Sequence, residues 1–141
     1  MMKLVVDTNV LVSALLSPFR VPARVLDLVL AGEVQPVFDD RMMAEYREVL
    51  HRPKFAFDRR SVDDLLTYLE LTGQPVLALP LPISLPDLND VMFVEVAATT
   101  KAVLVSGNLR HFPPDQCAGV QILSPGEFLD RWQRLVAAEQ D

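Results

Sequence analysis

Cys117 is the only cysteine in the chain, which excludes an internal disulfide and any cysteine-based zinc cluster. Glycine is scarce too. The five stand at Gly32, Gly73, Gly107, Gly119 and Gly126, so neither a dinucleotide-binding fingerprint nor a phosphate-binding P-loop can be assembled. The two histidines, His51 and His111, lack the paired spacing of a zinc helix and are expected at the surface. Ser106, in Ser-Gly-Asn, is not a nucleophile elbow. Cys117, with no evident base nearby, reads as a small loop or edge residue rather than a catalytic thiol. No apolar run approaches the roughly 20 residues of a membrane span, and the stretch before Asp7 is too short for a signal-peptide core. A cytoplasmic protein with no membrane association is expected. Positive charge is in deficit: 13 Lys and Arg stand against 19 Asp and Glu, a net charge of −6, which argues at first sight against nucleic-acid binding.

What is present suits one globular unit. At 141 residues and 50% hydrophobic, the chain is expected to form a single domain over 1–141, large enough to stand without disulfides or a structural metal. No repeat, low-complexity tract or linker interrupts it. The proline cluster from Pro75 to Pro86 reads as an extended connection inside the domain.

The apolar residues alternate between two patterns. Leu4 to Val6 is an uninterrupted run ending at Asp7, as in a strand buried on both faces of a parallel sheet. A short helix capped by Thr8 or Asn9 follows, then a second with Pro22 in its first turn that ends at Gly32. Val34 to Phe38 reads as a strand. Asp39 or Asp40 caps a third helix carrying Met42, Tyr46, Val49 and Leu50, and Pro53 ends it. A fourth, capped by Ser61, carries Val62, Leu65, Leu66 and Leu69 and stops at Gly73; Val76 to Leu79 is a further strand. Asp90 to Lys101 is apolar nearly all round, the mark of a buried helix. Ala102 to Val105 and Val120 to Leu123 are strands, and Ser124, Pro125 and Glu127 open the last helix with a capping box. Phe55, Phe57 and Trp132 read as core or interface. The alternation implies an α/β layered domain with a mainly parallel central sheet of four to five strands flanked by helices.

In such a sheet ligands bind beyond the carboxyl ends of the strands, which makes Asp7 and Asn108 the first candidates. Asp7 could equally cap the next helix. Glu45 lies on the buried stripe set by Met42, Tyr46 and Val49, where a carboxylate needs a cation, a metal or several donors; a rim position paired with Arg41 or Arg47 is the alternative. Asp87 and Asp90 precede the most apolar helix, and one of them suffices as its cap. The surplus carboxylate suggests a cation. Converged, Asp7, Glu45 and Asp90, with Asp87, Ser106 and Asn108 as outer ligands, would offer oxygen donors that select Mg²⁺ or Mn²⁺, ions suited to phosphate chemistry.

These residues resemble the PIN domain, in particular the VapC-type PIN nucleases of bacterial and archaeal toxin–antitoxin pairs, over nearly the whole chain. Leu4 to Val10, Leu-Val-Val-Asp-Thr-Asn-Val, is similar to the family's first motif, with Asp7 in the place of its first metal-binding acid. Glu45, in Ala-Glu-Tyr, matches the second, and Asp90, in the segment from Asp87 to Phe93, the third. Val103 to Phe112 looks like the closing strand and turn. One departure stands at Asn108, where many members have an acid: Asn offers a carbonyl oxygen instead, and Asp87 is close enough in sequence to compensate.

The resemblance implies a PIN-like three-layer fold and a Mg²⁺- or Mn²⁺-dependent endoribonuclease in which Asp7, Glu45 and Asp90 hold the ion and activate water. It also implies a homodimer and a cognate antitoxin. Asn9, Arg20, Arg24, Lys54, Arg59, Arg60 and Arg110 are candidate RNA contacts, since phosphate binding needs local positive charge whatever the total. Two alternatives stand beside this reading. One is a PIN-like module that binds RNA or protein without turnover, suggested by Asn108. The other is a different Mg²⁺-dependent α/β phosphohydrolase, for which Asp7-Thr8-Asn9 lacks the usual second Asp two residues on.

Overall fold

The computed structural model describes residues 1–140. In chain order the elements are β1 (Lys3–Val6), α1 (Thr8–Leu16), α2 (Val21–Leu30), β2 (Gln35–Phe38), α3 (Asp40–Leu50), α4 (Arg59–Thr72), β3 (Gln74–Pro75), α5 (Val91–Thr100), β4 (Val103–Val105), β5 (Ile122–Leu123) and α6 (Pro125–Gln140). The five strands pair in the order β3-β2-β1-β4-β5, and every ladder is parallel. The chain leaves β1 toward one edge and enters β4 toward the other. Right-handed crossovers in opposite directions put their helices on opposite faces of the sheet. Accordingly α1 and α2 pack together with α6 against α2, while α5 lies on β1, β2 and β4. Three layers result.

The core follows from this layering. Leu4, Val5, Leu104 and Val105 are fully buried, as are Phe93, Val94, Val96 and Ala97 of α5 and Phe128 of α6. Val10, Leu11, Val25, Leu26 and Val29 meet Leu4, Val6 and Phe38 around a gap of about 10 Å³, at the lower limit of what one water requires. Burying each large aliphatic side chain contributes on the order of 1.5–3 kcal/mol.

Several local expectations are corrected. Asp7, rather than Thr8 or Asn9, stands at the N-cap of α1 without a side-chain capping bond; all three side chains are engaged elsewhere, Asp7 by Ser106, Thr8 by Glu45 and Asn9 Oδ1 by the Gly107 N–H. The cap of α4 is Asp58; the Ser61 N–H and hydroxyl both donate to its Oδ2. The expected strand over Val76 to Leu79 is replaced by the shorter β3. Val76 N–H still donates to the Phe38 carbonyl at 2.9 Å, but the Leu79 N–H turns to Thr99 Oγ1 and the Leu81 N–H to Glu95 Oε2. Pro80 and Pro82 have no N–H to continue a ladder, so the segment ties itself to α5. Gly73 lets α4 enter β3: an added Cβ would stand 2.7 Å from the Leu69 carbonyl and 2.8 Å from that of Pro36. The capping box holds, with Ser124 N–H donating to Glu127 Oε1 at 2.9 Å and Glu127 N–H to Ser124 Oγ at 3.1 Å.

Candidate active site

With β1 and β4 adjacent and their connections diverging, the crevice beyond their carboxyl ends is where this topology binds ligands. Asp7 closes β1, its N–H donating to the Val105 carbonyl at 2.9 Å, and Ser106 follows β4. Both are buried. Ser106 Oγ donates to Asp7 Oδ2 at 2.7 Å and accepts from the Asn108 N–H at 3.0 Å, so it holds Asp7 in place across the strand ends. Glu45 enters from α3, half-buried, and receives the Thr8 hydroxyl. Tyr46 anchors that helix by donating its phenol to the Val6 carbonyl.

Asp90 comes from the start of α5. Asp87 accepts from the Asn89 N–H and caps the preceding 3-10 turn, whereas Asp90, at the N-cap of α5, makes no side-chain capping bond. Asp90 is therefore the surplus carboxylate. Its Oδ2 lies 3.0 Å from His111 Nδ1, and the Asn108 amide Nδ2 lies 3.0 Å from His111 Nε2. With the amide donating, Nε2 accepts and Nδ1 carries the proton toward Asp90. His111 is thus no simple surface residue, which corrects the expectation for it. His51 is corrected as well: its side chain is 14% exposed and its Nε2 stands 2.9 Å from Asp63 Oδ1.

The electrostatics are those of acids held together. Burial raises Asp7 above the usual carboxylate range and Glu45 raises it further, while the Ser106 hydroxyl pulls it down. Asp90 is pushed up to about 6 by burial, then by Asp7 and Asp87, against the lowering influence of His111. Neither Arg41 nor Arg47 pairs with Glu45: Arg41 binds Asp39 and Glu95, and Arg47 binds Glu70. Among the described residues no Lys or Arg forms an ion pair with Asp7, Glu45 or Asp90.

The donors are all oxygens, desolvated and mutually repulsive, and a hard divalent cation suits such a set. As the side chains are placed, no three His, Cys, Asp or Glu groups among the described residues enclose an ion. Each of the three carboxylates has one oxygen engaged by Ser106, Thr8 or His111. Of the other candidates, Asn9 is tied to Gly107, whereas Arg110, Lys54 and Arg59 are exposed.

Sequence reasoning missed one neighbouring group. Glu95 is buried in α5, its Oε1 2.8 Å from Arg41 Nη1, and Arg41 Nη2 stands 2.7 Å from Asp39 Oδ2. Asp39 also accepts from the Met42 N–H at 3.0 Å, capping α3. A signal was available, since a lone acid in a helix apolar nearly all round requires a partner.

No curated protein matches the chain. Among solved structures, VapBC-1 from nontypeable Haemophilus influenzae is similar with a TM-score of 0.58 at 14% identity, over 89% of this chain and 99% of that one. FitAcB from Neisseria gonorrhoeae gives 0.58 at 17% identity over 87% and 98% of the two chains. VapBC2 from Rickettsia felis, bound to a DNA fragment from its promoter, gives 0.56 at 14% identity over 87% and 98%. At such identities the likeness is one of fold. Residues 3–110 match the family model of the PIN domain, and the chain belongs to that family.

Proposed function

We propose that this protein is a divalent-cation-dependent endoribonuclease, acting in the cytoplasm as the toxin of a toxin–antitoxin pair. One observation carries the reading: three acids from three elements lie near enough at the strand ends to repel one another, with the His111 imidazole but, among the described residues, no Lys or Arg paired with them, in a protein that neutralises its other two buried acids with Arg41. Asp7, Glu45 and Asp90 would hold Mg²⁺ or Mn²⁺, with the Asn108 carbonyl and Asp87 as supporting donors and Ser106 acting through Asp7. When bound, such an ion neutralises the phosphodiester and lowers the pKa of the attacking water. His111 orients Asp90, and Asn108 fixes the tautomer that lets it do so. Asn9, its carbonyl committed to Gly107, keeps its amide N–H groups for a phosphate; Arg110, Lys54 and Arg59 supply exposed positive charge. The VapC resemblance implies a homodimer and a cognate antitoxin, and the fold shared with VapBC structures supports the antitoxin, whose basic segments would meet the acidic surface. PIN membership sets aside the unrelated phosphohydrolase.

The test is RNA cleavage with Mn²⁺ or Mg²⁺ by the parent, Asp7→Asn and Asp90→Asn. Loss of cleavage in both variants is expected. Unchanged cleavage in both would sink the site, and activity that survives chelation would sink the metal. A module that binds RNA without turnover is the second reading, favoured by an Asn108 amide already spent on His111; it wins if the parent is inactive and Asn108→Asp gains activity.

A further inference from the structure

Outside the acid cluster, positive charge gathers in one place. Residues 52–60 read Arg-Pro-Lys-Phe-Ala-Phe-Asp-Arg-Arg, four basic residues against one acid, in a chain whose net charge is −6. Within the stretch Arg52 is paired with Glu48 and Asp58 is occupied in capping α4. Lys54, Arg59 and Arg60 are exposed, and among the described residues none of them forms an ion pair. Ordinary solvated cations do not come with the second feature of this loop. The rings of Phe55 and Phe57 stack with centroids 5.4 Å apart and planes 13° from parallel, and Lys54 Nζ stands 5.0 Å from the Phe55 centroid.

The backbone between the rings closes the 3-10 turn Pro53–Phe55, with the Ala56 N–H donating to the Pro53 carbonyl. Ala56, between the two rings, has φ +53°, in the left-handed region, which costs an L residue with a Cβ roughly 1–2 kcal/mol. In extended chain the side chains at 55 and 57 would share a face loosely; the left-handed residue draws them ring to ring. Phe57 packs against the core, so it forms a fixed base, and Phe55 rests on it half-exposed. An aromatic face backed by a second ring, with one cation over it and two unpaired cations four and five residues on, is what single-stranded nucleic acid uses: bases stack while phosphates find positive charge. A duplex hides its base faces and gains only the charge.

We propose that the loop joining α3 to α4 is a single-strand RNA subsite in which Phe55, backed by Phe57, stacks a base while Lys54, Arg59 and Arg60 contact the flanking phosphates. The proposal rests on the ribonuclease reading. Lys54, now above Phe55, gives up that position to the base and turns its ammonium to a phosphate. The subsite is on the same stretch of chain as the acids: helix rise from Glu45 to His51 and the four residues beyond keep Phe55 within about 25 Å of Glu45 whatever the loop's path. A strand a few nucleotides long therefore reaches both.

The experiment measures binding of a fluorescent single-stranded RNA of about twelve nucleotides, and of the matching duplex, to full-length protein in EDTA, so that metal-dependent cleavage cannot intervene. Phe55→Leu should weaken single-strand binding about 5- to 30-fold and leave duplex binding unchanged, while Phe55→Trp should bind at least as well as the parent. Lys54→Gln with Arg59→Gln and Arg60→Gln should weaken both and flatten the salt dependence of single-strand binding by about two in log–log slope. Parental single-strand affinity in Phe55→Leu overturns the proposal, as does an equal loss for the duplex. Loss of an acidic protein partner with RNA binding intact would assign the loop to that partner instead. A parent that cleaves RNA while Phe55→Leu binds and cleaves equally well removes this subsite and leaves the nuclease standing; a parent that neither binds nor cleaves removes both.

Discussion

Two groups of buried acids lie side by side on the same two helices, and they are treated in opposite ways. Helix α3 brings Asp39 at its cap and Glu45 further on; α5 brings Asp90 at its start and Glu95 in its second turn. Asp39 and Glu95 share the Arg41 guanidinium at 2.7 and 2.8 Å. Glu45 and Asp90, joined by Asp7, receive only hydroxyls and the His111 imidazole. An acid that serves the fold is neutralised where it is buried, because an uncompensated charge is costly. The other group bears its burial and then its repulsion, visible in the raised Asp7 and in Asp90 at about 6. Arg41 stands one helical turn from Glu45 yet pairs with Asp39 and Glu95 instead, which leaves Glu45 available to the cation proposed above.

The sharpest way to break this comparison is to neutralise one acid of each kind. Asp90→Asn should lower RNA cleavage by about three orders of magnitude or more, several kcal/mol of transition-state stabilisation, while the metal-free protein melts no lower than the parent. Arg41→Met should do the reverse. It leaves Asp39 and Glu95 without their cation, and since the Arg41 side chain is 50% exposed the cost lies near the low end for a broken buried pair, about 2–3 kcal/mol. Urea unfolding with a cleavage assay on the same samples reads both effects. Adding Glu95→Met to Arg41→Met should recover much of the lost stability, because a buried pair replaced by apolar side chains is often neutral. An Asp90→Asn protein as destabilised as Arg41→Met would erase the distinction.

The next effect is in pH. Asp90 binds its proton more tightly folded than unfolded, so between about 4 and about 6 the native state holds more protons and metal-free stability falls as pH rises. Below that window the group adds nothing, and above it the loss is constant at no more than about 3 kcal/mol. Melting in EDTA should therefore drop from pH 4.5 to 7 more steeply in the parent than in Asp90→Asn, and Mn²⁺ should raise the midpoint most at the higher pH. Parallel curves for the two proteins would mean that Asp90 is not strained by its neighbours.

How much of this was legible before the coordinates depends on which force decides each residue. The run from Leu4 to Val6, the capping box at Ser124 and Glu127, and the apolar α5 carry local or periodic signals, and these elements stand where expected. Competition from distant parts of the chain is harder to see. Thr8 and Asn9 looked like caps, but their side chains are claimed by Glu45 and by the Gly107 N–H, partners 37 and 98 residues away. Val76 to Leu79 has strand composition, yet beyond Val76 the Leu79 N–H goes to Thr99 of α5 and that of Leu81, just past the segment, to Glu95. His111 looked like surface because nothing near it in sequence needs an imidazole; Asp90, 21 residues earlier, does. Asp7 at a strand end and Glu45 on a buried stripe carry a cost visible in the pattern alone, and Asp90 stands out as one carboxylate more than the cap of the apolar helix requires. Glu95 carries the same cost and was passed over.

The smallest expected effect bears on Asn108, and it sharpens the comparison from the other side. The Asn108 side-chain amide donates to His111 Nε2 and its backbone N–H to Ser106 Oγ, so the residue touches the groups that orient both Asp90 and Asp7, the first through its side chain and the second through its main chain. Asn108→Asp keeps the shape and exchanges the donor for a fourth negative charge. His111 must then take a proton on Nε2 to meet the new carboxylate, which favours the imidazolium and offers Asp90 partial compensation. The two changes oppose each other, and the metal-free protein should lose only about 1 kcal/mol. With Mn²⁺ the balance turns: the added carboxylate is a better ligand than an amide carbonyl for a hard cation, and the rise in melting midpoint should exceed the parent's by a few degrees. If Mn²⁺ lifts both proteins equally, position 108 faces His111 alone, and the cation is left to Asp7, Glu45 and Asp90.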